Sequence, residues 1–159
     1  MPTITPFLWF DTQAEEAMNF YASIFPRSKI LSVNRAQGRV MGVEFELQGQ
    51  RLIALNGGPL YRFNEAVSLH VGCETQQEID ELWTKLTADG GEPGQCGWLK
   101  DKYGLSWQVI PNVLGQLLGG GGDPARSKRV VDVMLQMKKL DVNALQAAYD
   151  GVVPALTSR

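Results

Sequence analysis

The sequence is poor in the residues that build disulfide frameworks and metal sites. It has 159 residues but only two cysteines, Cys73 and Cys96, and a single histidine, His70. Two cysteines do not make a disulfide framework, and with one histidine at these spacings they do not form a zinc site. Few side chains are therefore candidates for chemistry, and we expect both thiols to be reduced in the cytoplasm.

Long apolar runs and an excess of charge are also missing. No stretch approaches the roughly 18 apolar residues that a membrane helix requires, and the first residues show no signal-peptide pattern. The formal net charge of −2 gives no positive field for nucleic acid or anionic lipid. The glycine run 119–122 does not follow a strand and is not a P-loop, and no glycine-rich strand–helix turn of the dinucleotide-binding type occurs. We expect neither nucleic acid nor membrane as a partner.

The chain does contain a regular succession of strand-like and helical segments. An apolar strand at 4–10 precedes a helix at 12–25, where Thr12 and Glu15 have the spacing of a capping box. Three further strands are predicted at 29–35, 40–47 and 51–55.

The same order then recurs. A strand at 66–72 precedes a second capping box, Thr75 with Glu78, and a helix that ends near 89–91. Short strands follow, of which 105–110 is the clearest. The two halves of the sequence align at an offset of 63 residues by their Thr and Glu pairs. The apolar faces of the two helices align slightly better at an offset of 62. This internal repeat predicts an α+β fold with two βαβββ modules, at about 4–58 and 65–111.

Beyond Pro111 the pattern becomes helical. A short helix is predicted at 112–118, and after the glycine run Asp123 and Pro124 mark a helix start. Asp141 can cap a last helix that Gly151 ends. We expect a paired-module domain at 1–122, and a helical extension at 123–159 that packs on this domain or on a dimer partner, because such short helices are unstable alone.

Several stretches resemble a known family. Residues 10–25 look like the first strand and helix of the vicinal-oxygen-chelate superfamily, which includes glyoxalase I, extradiol dioxygenases and bleomycin-resistance proteins. Residues 97–111 and the tail at 134–149 resemble its PhnB-like subgroup, whose members often carry a demethylubiquinone methyltransferase label. The resemblance implies paired βαβββ modules that form a curved mixed sheet around a cavity, and a homodimer.

The resemblance also implies where a metal would bind. Enzymes of the superfamily hold one divalent ion with His, Gln or Glu side chains on the first and last strands of each module. Here the matching positions are His70 and Gln108 in module two, but Phe7 or Leu8 and the apolar segment 53–55 in module one. His70 and Gln108 are thus residual metal candidates, and we expect no metal or other cofactor; a divalent ion is the alternative.

The candidate ligand-binding residues are polar or aromatic side chains expected near the cavity that the resemblance implies. His70 either fixes a ligand or acts as a general base. Cys96 lies near Lys100 and is either a reactive thiol or an inert filler. The full candidate set is Trp9, Asn56, His70, Cys96, Trp98 and Gln108.

Three functions remain open at this point. The first is a metal-free protein that binds a small organic molecule, similar to resistance proteins that sequester a drug. The second is a lyase, isomerase or transferase that uses His70 or a divalent metal. The third is a purely structural partner held through its C-terminal helices. Whether the chain is an enzyme is left undecided by the sequence.

Overall fold

The computed structural model describes residues 1–152, and the chain forms two compact units, Met1–Phe63 and a second that begins at Asn64. Each unit contains one four-stranded mixed sheet, with a helix between the first and second strands of that sheet. The α+β class and the repeated βαβββ order predicted from the sequence are confirmed. No helix within residues 1–152 is long and apolar enough to cross a membrane.

The first unit packs one helix against one face of its sheet. Its elements in chain order are β1 (Phe7–Phe10), α1 (Ala14–Ile24), β2 (Ser28–Ala36), β3 (Arg39–Leu47) and β4 (Gln50–Asn56). The strand order is β1-β4-β3-β2, with β1 parallel to β4 and the other pairs antiparallel. Alternation along β3 buries Val43, Phe45 and Leu47 on the helix side. The ring of Tyr21 on α1 stacks over Phe45, with centroids 6.4 Å apart.

The second unit repeats this plan and adds helices. Its elements are β5 (Ser68–Cys73), α2 (Gln76–Leu86), β6 (Glu92–Pro93), β7 (Trp98–Lys100), β8 (Ser106–Pro111), α3 (Leu114–Gly119), α4 (Pro124–Met134) and α5 (Val142–Asp150), with 3-10 turns at Ala88–Gly90 and Gly120–Gly122. The strand order is β5-β8-β7-β6, and β5 is parallel to β8. Helix α2 contacts β5, β7 and β8.

The repeat interval differs between strands and helices. The last residues of β1 and β5, Phe10 and Cys73, are 63 positions apart, whereas the first residues of α1 and α2, Ala14 and Gln76, are 62 apart. The first strand–helix connection is therefore one residue longer than the second. Both intervals suggested by the sequence are correct, each for a different kind of element.

That extra residue changes how α1 begins. The predicted capping box at Thr12 and Glu15 is wrong, because the N-cap is Gln13 and its side chain makes no capping hydrogen bond. The predicted box at Thr75 and Glu78 is confirmed, with both reciprocal hydrogen bonds present.

The C-terminal helices begin and end where their sequence signals predict. The side chain of Asp123 caps α4, that of Asp141 caps α5, and Gly151 ends α5 in a left-handed conformation. The helices bury a cluster formed by Leu114, Leu117, Val130, Leu140 and Leu145. Within the second unit, the Val142 N–H donates to Gln76 Oε1 at 2.8 Å, which joins the start of α5 to α2.

Candidate functional site

Three predicted site residues lie side by side in the sheet of the second unit. His70 on β5 pairs with Gln108 on β8, and Gln108 pairs with Trp98 on β7. Along β8, Trp107 and Val109 are buried on the helix side, so Gln108 points to the opposite face. We call Trp98, Gln108 and His70 the central row. Trp98 and Gln108 are half-buried and His70 is exposed, which makes the row accessible within this unit.

A second polar row lies two residues along each strand on the same face. Lys100 pairs with Ser106, and Ser106 pairs with Ser68. Gln108 Nε2 donates a hydrogen bond to Ser68 Oγ at 2.9 Å, which connects the two rows and orients the amide. The Ser106 hydroxyl is buried and has no hydrogen-bond partner among the described residues.

Charged groups surround the second row. Lys100 forms an ion pair with Glu65, a residue of the segment before β5, and faces Glu92 across the β6–β7 pair. The hydrogen bond between Lys100 and Glu65 lowers the pKa of the Glu65 carboxyl and raises that of the Lys100 ammonium. Both groups therefore stay charged around neutral pH.

A cleft of about 540 Å³ opens beside β6 and β7. Trp98, Lys100 and Ser106 line it from the strands, and Cys96 lines it from the loop before β7. Its volume falls in the range of clefts that take small organic ligands.

The two cysteines have different surroundings. Cys96 is half-buried, and its Sγ donates to the Met134 carbonyl oxygen at 3.5 Å. Cys73 is buried, and desolvation raises the pKa of its thiol to about 11, with a further contribution from the Glu78 carboxylate. Only Cys96 is near the cleft.

The other two predicted site residues belong to the first unit. Trp9 Nε1 donates to the Gly58 carbonyl at 2.9 Å, and the indole meets the Tyr61 ring edge-on with centroids 4.9 Å apart. At Gly57 an added Cβ would lie 2.3 Å from the Trp9 indole, so this close approach requires glycine.

The Asn56 side chain takes part in backbone structure. Its Oδ1 accepts from the Ala14 N–H at 2.8 Å, and its Nδ2 donates to the Val40 carbonyl at 3.1 Å. Asn56 thus supplies the acceptor that the Gln13 N-cap lacks, at the start of α1. It also borders a cleft of about 550 Å³ whose other lining residues include Asp11, Glu15 and Arg39.

Sequence reasoning missed several residues of the cleft. Ser106 could have been found, because it lies two residues before Gln108 on the same strand and shares its face. Glu65 lies in irregular chain and Glu92 in a strand of two residues, so no periodicity marks either residue. The buried Asp101 was also missed, although it fixes the β7–β8 turn through the Tyr103 and Leu105 N–H groups.

Comparison with known proteins identifies the family. A family model described as 3-demethylubiquinone-9 3-methyltransferase matches residues 2–110. A PhnB protein from Bacillus cereus is 40% identical, covers 69% of this chain and 99% of its own, and superimposes with a TM-score of 0.63. The chain belongs to this PhnB-like family. Among curated proteins, none matches the PhnB-like sequence.

More distant structures share the fold of this PhnB-like chain. Protein PA1353 from Pseudomonas aeruginosa is 18% identical, covering 70% of this chain and 98% of that chain, with a TM-score of 0.58. FosX, described as a genomically encoded fosfomycin resistance protein from Listeria monocytogenes, is 13% identical, covering 69% of this chain and 89% of that chain, with a TM-score of 0.51. Membership of the vicinal-oxygen-chelate superfamily, predicted from the sequence together with the PhnB-like subgroup, is confirmed by the family model and by the Bacillus cereus protein.

The residues at the superfamily's metal positions do not fit a divalent ion. The paired register makes Phe7 the repeat equivalent of His70, and Ile53 the equivalent of Gln108. Neither equivalent has a ligand atom, and the remaining two donors are neutral. Within residues 1–152, no three His, Cys, Asp or Glu side chains group to hold a metal ion. A site without a carboxylate or a third ligand is a poor match for Mg²⁺, Mn²⁺, Fe²⁺ or Ni²⁺.

Proposed function

We propose that this PhnB-like protein binds a small organic molecule on the central row of its second sheet, without the metal centre of its superfamily. The observation that supports the proposal is the alignment of Trp98, Gln108 and His70 on one accessible face beside the cleft. The row offers an aromatic surface, an amide that can donate and accept, and an imidazole. Polar side chains beside an aromatic surface can fix the orientation of a bound ligand.

The first experiment tests whether binding is independent of metal. Protein without a tag is incubated with Ni²⁺, Mn²⁺, Fe²⁺ or Zn²⁺ and dialysed, beside His70→Ala, and its metal content is measured by elemental analysis. We expect well under one retained ion per chain and no difference between the two proteins. About one ion per chain that is lost in His70→Ala would contradict the metal-free proposal.

The second experiment locates the binding surface. A library of small organic molecules is screened against metal-stripped protein by ligand-observed NMR, and the affinity of each hit is compared between variants. Gln108→Leu removes the amide of the central row and should weaken binding about tenfold or more. Gln77→Leu makes the same change on an exposed position of α2 and serves as the matched control. Equal affinities in both variants would place binding elsewhere.

The methyl transfer named in the family description is not part of this proposal. Neither βαβββ module contains the glycine-rich strand–helix turn that the common S-adenosylmethionine-binding fold uses. A titration with S-adenosylmethionine tests this directly, and we expect no binding. Saturable binding that Gln108→Leu weakens would favour the transferase function instead.

A second candidate function is catalysis by His70. The imidazole is exposed beside the Gln108 amide, where it could accept or donate a proton on a molecule that the row holds. The expected signature is a reaction that His70→Ala abolishes while ligand affinity is retained. A hit that the wild-type protein leaves chemically unchanged supports binding alone.

We further infer a homodimer located in the cytoplasm. Superfamily members commonly build sites from paired modules within one chain or between two, and the sequence has the composition of a reduced intracellular protein. Sedimentation equilibrium should give twice the chain mass of 17.5 kDa. A monomer at all concentrations would contradict the dimer without affecting the binding proposal.

A further inference from the structure

The cleft beside β6 and β7 has an uneven charge. Its lining contains two carboxylates, Glu65 and Glu92, and one ammonium group, Lys100. Glu65 is the ion-pair partner of Lys100, so these two charges largely cancel. Glu92 forms no ion pair among the described residues, although it faces Lys100 across the strand pair. The lining therefore carries one more negative than positive charge, and Glu92, on β6, is attracted to Lys100 without an ion-pair contact.

The cleft wall also contains a polar group that requires a partner. Ser106 is 1% exposed, and its Oγ has no hydrogen-bond partner within residues 1–152. Buried hydroxyl groups are nearly always hydrogen-bonded, because an unpaired hydroxyl loses its hydration without compensation. Since Ser106 lines the cleft, a molecule in the cleft can supply the missing partner.

Trp98 provides an aromatic surface on the same wall. It lies two residues before Lys100 on β7, on the same face of the sheet, and it is half-buried. An indole attracts both aromatic rings and organic cations to its face. The wall thus combines a surface for an apolar body with a carboxylate and a hydroxyl for a polar head.

We propose that this cleft selects a small aromatic amine, with the protonated amino group near Glu92 and Ser106 Oγ and the ring against Trp98. The inference rests on the proposed binding function and narrows it to a ligand class. A neutral analogue would retain the contact with Trp98 but lose the attraction to Glu92. A carboxylate analogue would meet the negative charge of Glu92 and would need to displace Glu65 from Lys100.

Three probes of matched shape test the ligand class: phenethylamine, 2-phenylethanol and 3-phenylpropionate. Each is titrated into ¹⁵N-labelled full-length protein, and backbone amide shifts of residues 92–106 report occupancy of the cleft. We expect phenethylamine to bind most tightly and 3-phenylpropionate least. Glu92→Gln should weaken the amine about three- to fivefold, the scale of a partly exposed ion pair, and leave the alcohol unchanged. Glu81→Gln, on an exposed position of α2, is the matched control.

Ser106→Ala separates ligand contact from folding. The variant removes a buried hydroxyl that the protein itself does not satisfy, so its melting temperature should stay the same or rise. Its affinity for phenethylamine should nevertheless fall. A lower melting temperature with unchanged affinity would show that the hydroxyl serves the fold and not the ligand.

The outcomes distinguish this inference from the broader binding function. If 3-phenylpropionate binds at residues 92–106 as tightly as the amine, or if Glu92→Gln leaves the amine affinity unchanged, the aromatic-amine class is wrong while ligand binding stands. If none of the three probes shifts these amides, the inference is overturned, and hits from the wider library that Gln108→Leu weakens would still support the binding function.

Discussion

At the scale of single residues, Asp101 is a buried carboxylate that accepts several hydrogen bonds in the second unit. Its Oδ1 accepts from the N–H groups of Tyr103 and Leu105, and its Oδ2 accepts from Trp107 Nε1 at 2.9 Å. Asp101 is 2% exposed, so its carboxylate is shielded from water and relies on these donors. These bonds tie the β7–β8 turn to Trp107 on β8, the strand that also contains Ser106 and Gln108.

Asp101→Asn should destabilise the protein although the side chains have nearly the same shape. The amide replaces one acceptor oxygen with a donor that faces an N–H group, which costs about 1–3 kcal/mol of unfolding free energy. Urea denaturation followed by tryptophan fluorescence measures the change. Asp132→Asn on exposed α4 is the control and should stay within about 0.5 kcal/mol of wild type. Equal effects of both variants would contradict the role of Asp101.

The two thiols should differ in reactivity. The pKa of Cys73 is raised to about 11 from an ordinary value of 9.0, so at pH 8 its thiol is protonated and buried. Cys96 is partly exposed beside the cleft. Native protein treated with iodoacetamide at pH 8 should gain one adduct, on Cys96, and Cys96→Ser should gain none. Labelling of Cys73 at a similar rate would show that β5 opens readily.

The same pKa difference predicts how stability changes at high pH. Between pH 9.0 and about 11 the Cys73 thiol ionises in the unfolded chain but stays protonated in the folded one. The folded state then binds more protons than the unfolded state, so unfolding free energy falls as pH rises through this window. Cys73→Ala should reduce this slope, which urea denaturation at several pH values measures. An unchanged slope would show that other groups cause the fall in unfolding free energy at high pH.

At the scale of elements, the two repeated helices begin in different ways. Thr75 caps α2 through the Glu78 N–H, whereas Thr12 lies one position too early to cap α1, and Asn56 supplies the acceptor instead. Thr75→Ala should cost about 1 kcal/mol, the usual value of an N-cap, and Thr12→Ala much less. Urea denaturation compares the two. Equal losses would mean that Thr12 also caps its helix in solution.

This contrast shows how far the sequence could predict the structure. Local signals located the strands and the Thr75, Asp123 and Asp141 caps, because each depends on neighbours within four residues. The order of the strands and helices then gave the repeat. The prediction failed at Thr12 because the first strand–helix connection is one residue longer. The acceptor at the start of α1 is Asn56, which is 42 positions from Ala14 and which no local pattern contains. Family resemblance and alternation gave His70, Gln108 and Trp98 as candidates, and the sheet register brings them into one row.

The charged groups around the cleft could not be predicted from local sequence patterns. Glu65 reaches Lys100 from an irregular segment, and Glu92 faces it only through the short β6–β7 pair. Neither contact follows from periodicity. The predictions that concern ligand charge therefore depend on tertiary structure alone.

At the scale of the whole molecule, the question is whether the C-terminal helices form a separate extension or belong to the second module. The sequence predicts a boundary at 122/123. The N–H groups of Cys96 and Gly97, just before β7, donate to the carbonyl oxygens of Met137 and Lys138 at 2.8 Å each. Gln76 Nε2 donates to the Leu140 carbonyl at 3.0 Å. These bonds attach the segment between α4 and α5 to α2 and to the loop before β7, both in the second module.

We expect the helices and the second module to unfold together, and Leu145→Ala tests this. Leu145 is fully buried in the helical cluster, so its truncation should cost about 2–5 kcal/mol. Leu135→Ala removes the same atoms from a side chain that is 56% exposed, and it is the control. If the unit is cooperative, hydrogen exchange in Leu145→Ala should accelerate at β7 and β8 as much as at α4 and α5. Acceleration confined to residues 123–150 would instead support the predicted extension as a part that folds on its own, and the cleft would then belong to a module that is stable without these helices.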